Sequence, residues 1–140
     1  METTSTLFNK LRSRKNGTVF LKQKQNAPTC ARLLRELLEN AKMSVPEWIT
    51  RADISKSYGY QILNGDRMPR RDILLRTSLV LHLSLKETQR LLTVAGCGAL
   101  YPKIRRDAAV IFALNQKMTL PETENLLVSL PERSLFAKDR

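Results

Sequence analysis

The chain has 140 residues, of which 42% are hydrophobic and 26% charged, and this size and composition suit one globular domain with a substantial core. Its 24 Lys and Arg residues outnumber 13 Asp and Glu residues, and the resulting net charge of +11 favours an acidic partner such as nucleic acid. No apolar run approaches the roughly 20 residues needed to cross a membrane, so we expect no membrane partner.

Residues 1–27 form a polar, basic segment with six basic residues against one acidic residue. Its composition fits either a DNA-binding arm or a short helix packed on the main domain, and the sequence leaves both open. Residues 28–42 follow with leucines at helical spacing and predict the first core helix. The apolar stripe of this helix contains Leu33, Leu34, Leu37, Leu38 and Ala41.

Residues 44–51 carry a full set of helix-start signals. Ser44 is the expected N-cap and Glu47, three residues later, closes a capping box. Pro46 lies in the first turn, where its missing N–H is harmless. The apolar residues of this short helix share one face and are Val45, Trp48, Ile49 and Ala52.

A tight corner then leads into a second helix, predicted over residues 55–63 with its N-cap included. Asp53 occupies the corner, where a positive φ is often needed and where Asp is tolerated. Ser55 is the expected N-cap of the second helix, and Asn64 with Gly65 is its stop signal.

Gly59 lies in the middle of this second helix, where it costs about 1 kcal/mol relative to Ala. We expect close approach of a neighbouring helix to compensate for that cost. Tyr58 lies four residues before Ile62, so we assign it to the inner face, where it would fill the volume that Gly59 leaves empty.

The positions of these caps and stops align without a gap with the phage-repressor and Cro type of helix-turn-helix. The segment therefore resembles the lambda-repressor-like or XRE-like DNA-binding family. The residues that carry the resemblance are Met43, Ser44, Ile54, Ser55, Ser57 and residues 62–65. It extends from about residue 29 to residue 92. Val45 departs from the family, which usually has a phosphate-bracing Gln at this position, so the usual phosphate clamp is not expected. Asp53 and Gly59 replace a usual Gly and a usual apolar residue.

The resemblance implies that the N-terminal end of the second helix reads base edges in the major groove. Lys56 suits guanine and Gln61 suits adenine, while Tyr60 suits a thymine methyl group or a phosphate, or is a packing tyrosine. The candidate base-reading residues are Ser55, Lys56, Ser57, Tyr60 and Gln61. The candidate phosphate-contacting residues are Asn64, Arg67, Arg70 and Arg71, and a solvated loop is the alternative for these arginines.

Residues 70–92 recur 35 residues later, at residues 105–127. Each copy predicts a helix, a Ser or Thr cap and a second helix, so we interpret them as a duplicated helical hairpin. The expected organisation is a helix-turn-helix domain over residues 28–95 and a second hairpin over residues 96–130 packed on it. Residues 131–140 have little periodicity and are expected to be a frayed tail.

Neither a metal site nor an active site is indicated. Cys30, Cys97 and His82 are widely separated in sequence and form no metal-ligand pattern, so we expect buried, reduced thiols and no cofactor. His82 has no acid or nucleophile near it in sequence, and no phosphate-binding Gly-rich loop occurs. Residues 1–6 lack the apolar core of a signal peptide, so we expect a cytoplasmic, nucleoid-associated protein.

The sequence therefore predicts an all-α protein: a lambda-repressor-like helix-turn-helix bundle extended by a C-terminal helical hairpin. The expected function is sequence-specific binding of double-stranded DNA in transcription regulation, of bacterial or phage type, and not catalysis. The alternative is a non-catalytic helical adaptor whose partner is a protein bound through the C-terminal hairpin. By analogy with the family we expect a homodimer. Phe112 and Leu130 are candidate contact residues, and a position in the core is the alternative for both.

Overall fold

A computed structural model describes residues 29–137, and within this range the α-helix is the only regular secondary structure. The predicted all-α class is confirmed. Interpretations of residues 1–27 and of the last three residues lie outside the described range. The seven described helices are α1 (Cys30–Asn40), α2 (Val45–Arg51), α3 (Lys56–Leu63), α4 (Arg71–Val80), α5 (Leu85–Val94), α6 (Arg105–Asn115) and α7 (Leu120–Ser129).

Local caps set where most of these helices begin. A Ser or Thr side chain accepts a backbone N–H at the start of five of them, and the residues are Thr29, Ser44, Ser55, Ser84 and Thr119. The capping box predicted at Ser44 forms only by half. Ser44 accepts from the Glu47 N–H at 3.2 Å, but the Glu47 carboxylate pairs with Arg51 one turn later, at 3.1 Å.

Four helices end on a non-glycine residue in the left-handed region. Asp53 has φ 54°, as predicted for the corner between α2 and α3. The other three are Lys42, His82 and Lys117, with φ between 52° and 56°. Since this conformation crowds a Cβ atom, each position costs about 1 kcal/mol that glycine would not incur.

We expect Lys42→Gly to raise the free energy of unfolding by up to about 1 kcal/mol, because it relieves this crowding at an exposed helix end. Lys86→Gly, the same substitution inside α5, should lower it by about 0.5 kcal/mol through lost helix propensity. Urea denaturation of both variants measures the two changes. If Lys42→Gly lowered stability as much as Lys86→Gly does, the left-handed conformation at Lys42 would not be the source of strain.

α4 is the central helix, and its residues 73–79 are all buried. The leucine stripe of α1 is buried as predicted, apart from exposed Ala41. Trp48 of α2 is fully buried, and its indole N–H donates to the Thr77 hydroxyl of α4 at 3.0 Å. The Thr77 hydroxyl in turn donates to the Ile73 carbonyl at 2.8 Å, so this polar pair in the core is satisfied.

The two hairpins, α4–α5 and α6–α7, contact each other through a reciprocal pair of ion pairs. Arg71 donates to both carboxylate oxygens of Asp107, at 3.0 and 2.9 Å. Arg106 donates in the same way to Asp72, at 3.0 Å for both bonds. Each arginine and each aspartate has its counterpart 35 residues away. The contact between the hairpins is therefore reciprocal, which is the pattern that a twofold relation produces.

The repeat extends beyond the helices into the segments that follow them. The Gln89 amide oxygen accepts from the Leu100 N–H at 2.7 Å, and the Glu124 carboxylate accepts from the Leu135 N–H at 2.8 Å, again 35 residues apart. Leu135 is fully buried. The expectation of a frayed tail is therefore wrong for residues 131–137, hereafter the C-terminal segment, which is the second copy of the segment after α5.

The ion pairs make a pH-dependent contribution to stability. Burial alone would raise the pKa of Asp107, but hydrogen bonds from Arg71 and from the Tyr101 N–H outweigh it, and the pKa lies below its ordinary value. The ionised form therefore stabilises the fold above pH of about 4, and this contribution is lost as the pH falls through the lower folded-state pKa.

We expect Asp107→Asn to lower the free energy of unfolding at pH 7 by about 2 kcal/mol, because it leaves the partly buried Arg71 charge without its partner. The deficit relative to wild type should shrink in denaturation experiments below pH of about 4. Glu132→Gln, which alters an exposed pair with Arg105, should cost less than about 1 kcal/mol. A pH-independent deficit at Asp107 would argue against this account.

Candidate nucleic-acid interface

The turn between α2 and α3, residues 52–55, fixes the angle between these two helices. The Ile54 N–H donates to the Ile49 carbonyl at 2.9 Å, and Asp53 adopts the positive φ that closes the corner. Ser55 then caps α3 by accepting from the Tyr58 N–H at 3.2 Å. Ile54 is buried, so the turn is packed into the core rather than suspended in solvent.

Gly59 lies at a close contact between α3 and Ile49 of α2, which confirms the expected close approach of a neighbouring helix. A Cβ atom built there would lie 2.7 Å from Cγ1 and 2.8 Å from Cδ1 of Ile49. The expectation that Tyr58 fills an empty volume beside Gly59 is wrong, because Ile49 already occupies that space. Tyr58 is half-buried instead, with the Arg67 guanidinium 5.9 Å from its ring centroid.

The outward face of α3 brings the candidate base-reading residues together. Lys56, Ser57 and Tyr60 are exposed, and Gln61 is half-buried beside them. Ser55 lies at the start of the same helix, but its oxygen is engaged in the cap. The opposite face is buried, so α3 presents one polar stripe to solvent.

The candidate phosphate-contacting residues divide into two groups. Arg67 and Arg70 are exposed and, with Ser55 and Tyr58, contribute to the wall of a cavity of about 540 Å³. Arg71 is directed elsewhere, because four of its N–H groups bind Asp107 and the carbonyls of the segment after α5. The structure thus gives Arg71 a role between hairpins, and the prediction of a phosphate contact does not fit its position.

Asn64 ends α3 and is held by a residue that the sequence did not indicate. Arg35 of α1 donates to the Leu63 carbonyl at 3.0 Å and to the Asn64 side-chain oxygen at 3.4 Å. A cation at this position is favourable because the last carbonyls of a helix carry partial negative charge. No local pattern could have identified Arg35, since its partners lie 28 and 29 residues away.

Arg76 of α4 is a second residue that sequence reasoning missed. It is only 7% exposed, and it donates to the carbonyls of Ala52 and Asp53 in the α2–α3 turn at 2.9 and 3.1 Å. Burial lowers the pKa of Arg76, and the charges of Asp53 and other nearby carboxylates partly offset this. A lone arginine inside an apolar helix was the available signal, because such a charge must find buried partners.

Two other kinds of site, a membrane-spanning helix and a metal site, are absent from the described residues. Between Thr29 and Ala137 no helix is long and apolar enough to cross a membrane, and no cluster of His, Cys, Asp and Glu could hold a metal ion. Burial raises the pKa of the Cys30 and Cys97 thiols above their ordinary value. Comparison with protein-family models finds no match, and comparisons with curated proteins and with solved structures find none either.

We expect Gly59→Ala to lower the free energy of unfolding by about 1 kcal/mol, because overpacking against Ile49 outweighs the gain in helix propensity. In an Ile49→Ala background the same change should be neutral or stabilising by up to about 1 kcal/mol, since the opposing atoms are gone. A double-mutant cycle by urea denaturation measures this coupling. Equal effects in both backgrounds would refute the close contact.

Proposed function

We propose that this protein is a sequence-specific double-stranded DNA-binding regulator of transcription, with α3 as the recognition helix. The observation that carries the proposal is the polar stripe on the outward face of α3. This helix is short and capped, and its other face is buried, with Gly59 packed against Ile49 of α2. Such a helix can enter the major groove without unpacking the core. The same proposal includes a lambda-repressor-like arrangement of the helices. It also includes a nucleoid location in the cytoplasm and binding to DNA as a homodimer.

Each residue of the stripe has a role in this proposal. The Lys56 ammonium donates to guanine O6 or N7, and the Gln61 amide bonds adenine with both of its polar atoms. Tyr60 is 39% exposed, which supports contact with a thymine methyl group or a phosphate. Ser57 donates to a base or a phosphate, and Ser55 retains its hydroxyl hydrogen for the same purpose while its oxygen caps the helix.

Contact with the sugar–phosphate backbone is assigned to Asn64, Arg67 and Arg70. These residues follow the recognition helix, so they would fix its register on the duplex without specifying sequence. Arg71 leaves this set because its guanidinium is bound to Asp107. Val45 at the start of α2 is apolar and offers no phosphate contact. Contact with the DNA backbone would therefore depend on the residues that follow α3.

An adaptor that binds a protein partner is the second candidate. Two large apolar side chains of the second hairpin are exposed, Phe112 at 52% and Val128 at 73%, and exposed apolar surface is typical of protein interfaces. Under this alternative, α1–α3 support the hairpins and DNA is not the ligand.

Selection from a random DNA pool separates the two candidates. The selected duplex is titrated against a scrambled duplex at several salt concentrations with the full chain. A specificity ratio near one would refute the regulator and favour the adaptor.

We expect Gln61→Ala to weaken the selected site by about 1 to 3 kcal/mol and to relax one base position. Arg67→Ala should instead weaken all duplexes alike and reduce the slope of log K against log salt by about 0.9. Arg90→Ala, an exposed change on α5, is the matched control and should alter neither quantity. A base-selective loss at Arg67 would contradict its assignment to the backbone.

A further inference from the structure

The guanidinium of Arg76 joins two parts of the chain that are far apart in sequence. Besides the two turn carbonyls, it donates to the Leu135 carbonyl of the C-terminal segment at 2.9 Å. The Phe136 ring lies against it, with 4.5 Å between the guanidinium carbon and the ring centroid. Among the described residues, no carboxylate forms an ion pair with Arg76, so these carbonyls and this ring accommodate the buried charge.

The C-terminal segment is itself firmly held, so it can serve as an anchor for Arg76. Glu124 accepts from the Ser134 hydroxyl at 2.5 Å and from the Leu135 N–H at 2.8 Å. Arg106 donates to the carbonyls of Arg133 and Ser134, at 2.9 and 3.1 Å. The guanidinium of Arg76 is planar and its donors have fixed directions. Its bond to the Leu135 carbonyl therefore also fixes where its other donors meet the carbonyls of the α2–α3 turn.

The internal repeat shows that this contact is not a general feature of the hairpins. The residue 35 positions after Arg76 is Ile111, and the residue 35 positions before Phe136 is Tyr101. Tyr101 is 52% exposed, and the cation–π contacts of the described residues place no guanidinium over its ring. The Arg76–Phe136 contact occurs only where the first hairpin meets the α2–α3 turn.

From these contacts we propose that Arg76 is a positioning residue for the recognition helix, and that the C-terminal segment is required for it to act. Arg76 holds the carbonyls of Ala52 and Asp53, and so sets the angle at which α3 leaves α2. The second hairpin thereby determines how well the polar stripe of α3 fits the groove. This inference rests on the proposed DNA-binding function, but its structural half is measurable without DNA.

The test compares Phe136→Ala with Tyr101→Ala, the matched truncation in the other copy of the repeat. Amide hydrogen exchange of the full chain is followed at Ile54, whose N–H closes the α2–α3 turn, and at Met118, whose N–H makes the equivalent bond after α6. We expect Phe136→Ala to accelerate exchange at Ile54 by about tenfold relative to Met118. Tyr101→Ala should leave this ratio unchanged.

The selected DNA provides the second readout. Phe136→Ala should lower specific affinity by about tenfold while binding to scrambled DNA stays within about twofold, because positioning affects base contacts and not charge. Phe136→Tyr, which keeps the ring, should match wild type in both the exchange ratio and the specific affinity. Arg76→Lys should behave like Phe136→Ala. The three carbonyls are bound by three different nitrogens of the guanidinium, and an ammonium places its three donors on one atom and lacks this planar fork.

Two results would overturn the inference. One is equal acceleration at Ile54 and Met118 in Phe136→Ala, which would mean general destabilisation. The other is unchanged specific affinity despite selective acceleration at Ile54. If wild-type protein binds no duplex specifically, the proposed function fails, whereas the exchange measurement still decides whether the C-terminal segment holds the turn.

Discussion

The reciprocal ion pairs between Arg71 and Asp107 and between Arg106 and Asp72 are the constraint on which the rest of the structure depends. They fix the two hairpins against each other at the N-terminal ends of α4 and α6, and the same arginines hold the segments that follow α5 and α7. Because α4 is thereby fixed in the centre, Trp48 and the α2–α3 turn have a rigid surface to pack on. The position of the candidate interface thus depends on two salt bridges that are not part of it.

Local signals in the sequence predicted the helices and the turn well. Caps such as Ser84 and Thr119, the positive φ at Asp53 and the close contact at Gly59 all depend on residues near in sequence or on one steric rule. The polar stripe of α3 was predicted for the same reason, since alternation of buried and exposed positions within eight residues is a local property.

Contacts between distant segments could not be predicted in this way. Asp107 lies 36 residues from Arg71, and nothing near Arg71 in the sequence indicates this partner, so the local pattern predicts a phosphate contact instead. The seven irregular residues of the C-terminal segment have no periodicity, so local patterns do not predict their packing, although Leu135 matches Leu100 in the repeat. The burial of Leu135 is indicated only by the 35-residue repeat, which continues past the helices.

The use of arginines inside the fold has a consequence for association kinetics. Residues 29–137 carry 16 Lys and Arg residues against 11 Asp and Glu residues, a net charge of +5 out of the chain's +11. Arg71, Arg76 and Arg106 bind partners inside the fold, so they add no exposed positive patch. The described body therefore projects a weaker long-range field than the charge of +11 suggests, and electrostatic steering of a polyanion toward it is correspondingly modest. Encounter rates would owe more to the basic residues 1–27, whereas the lifetime of a complex would owe more to short-range contacts at α3.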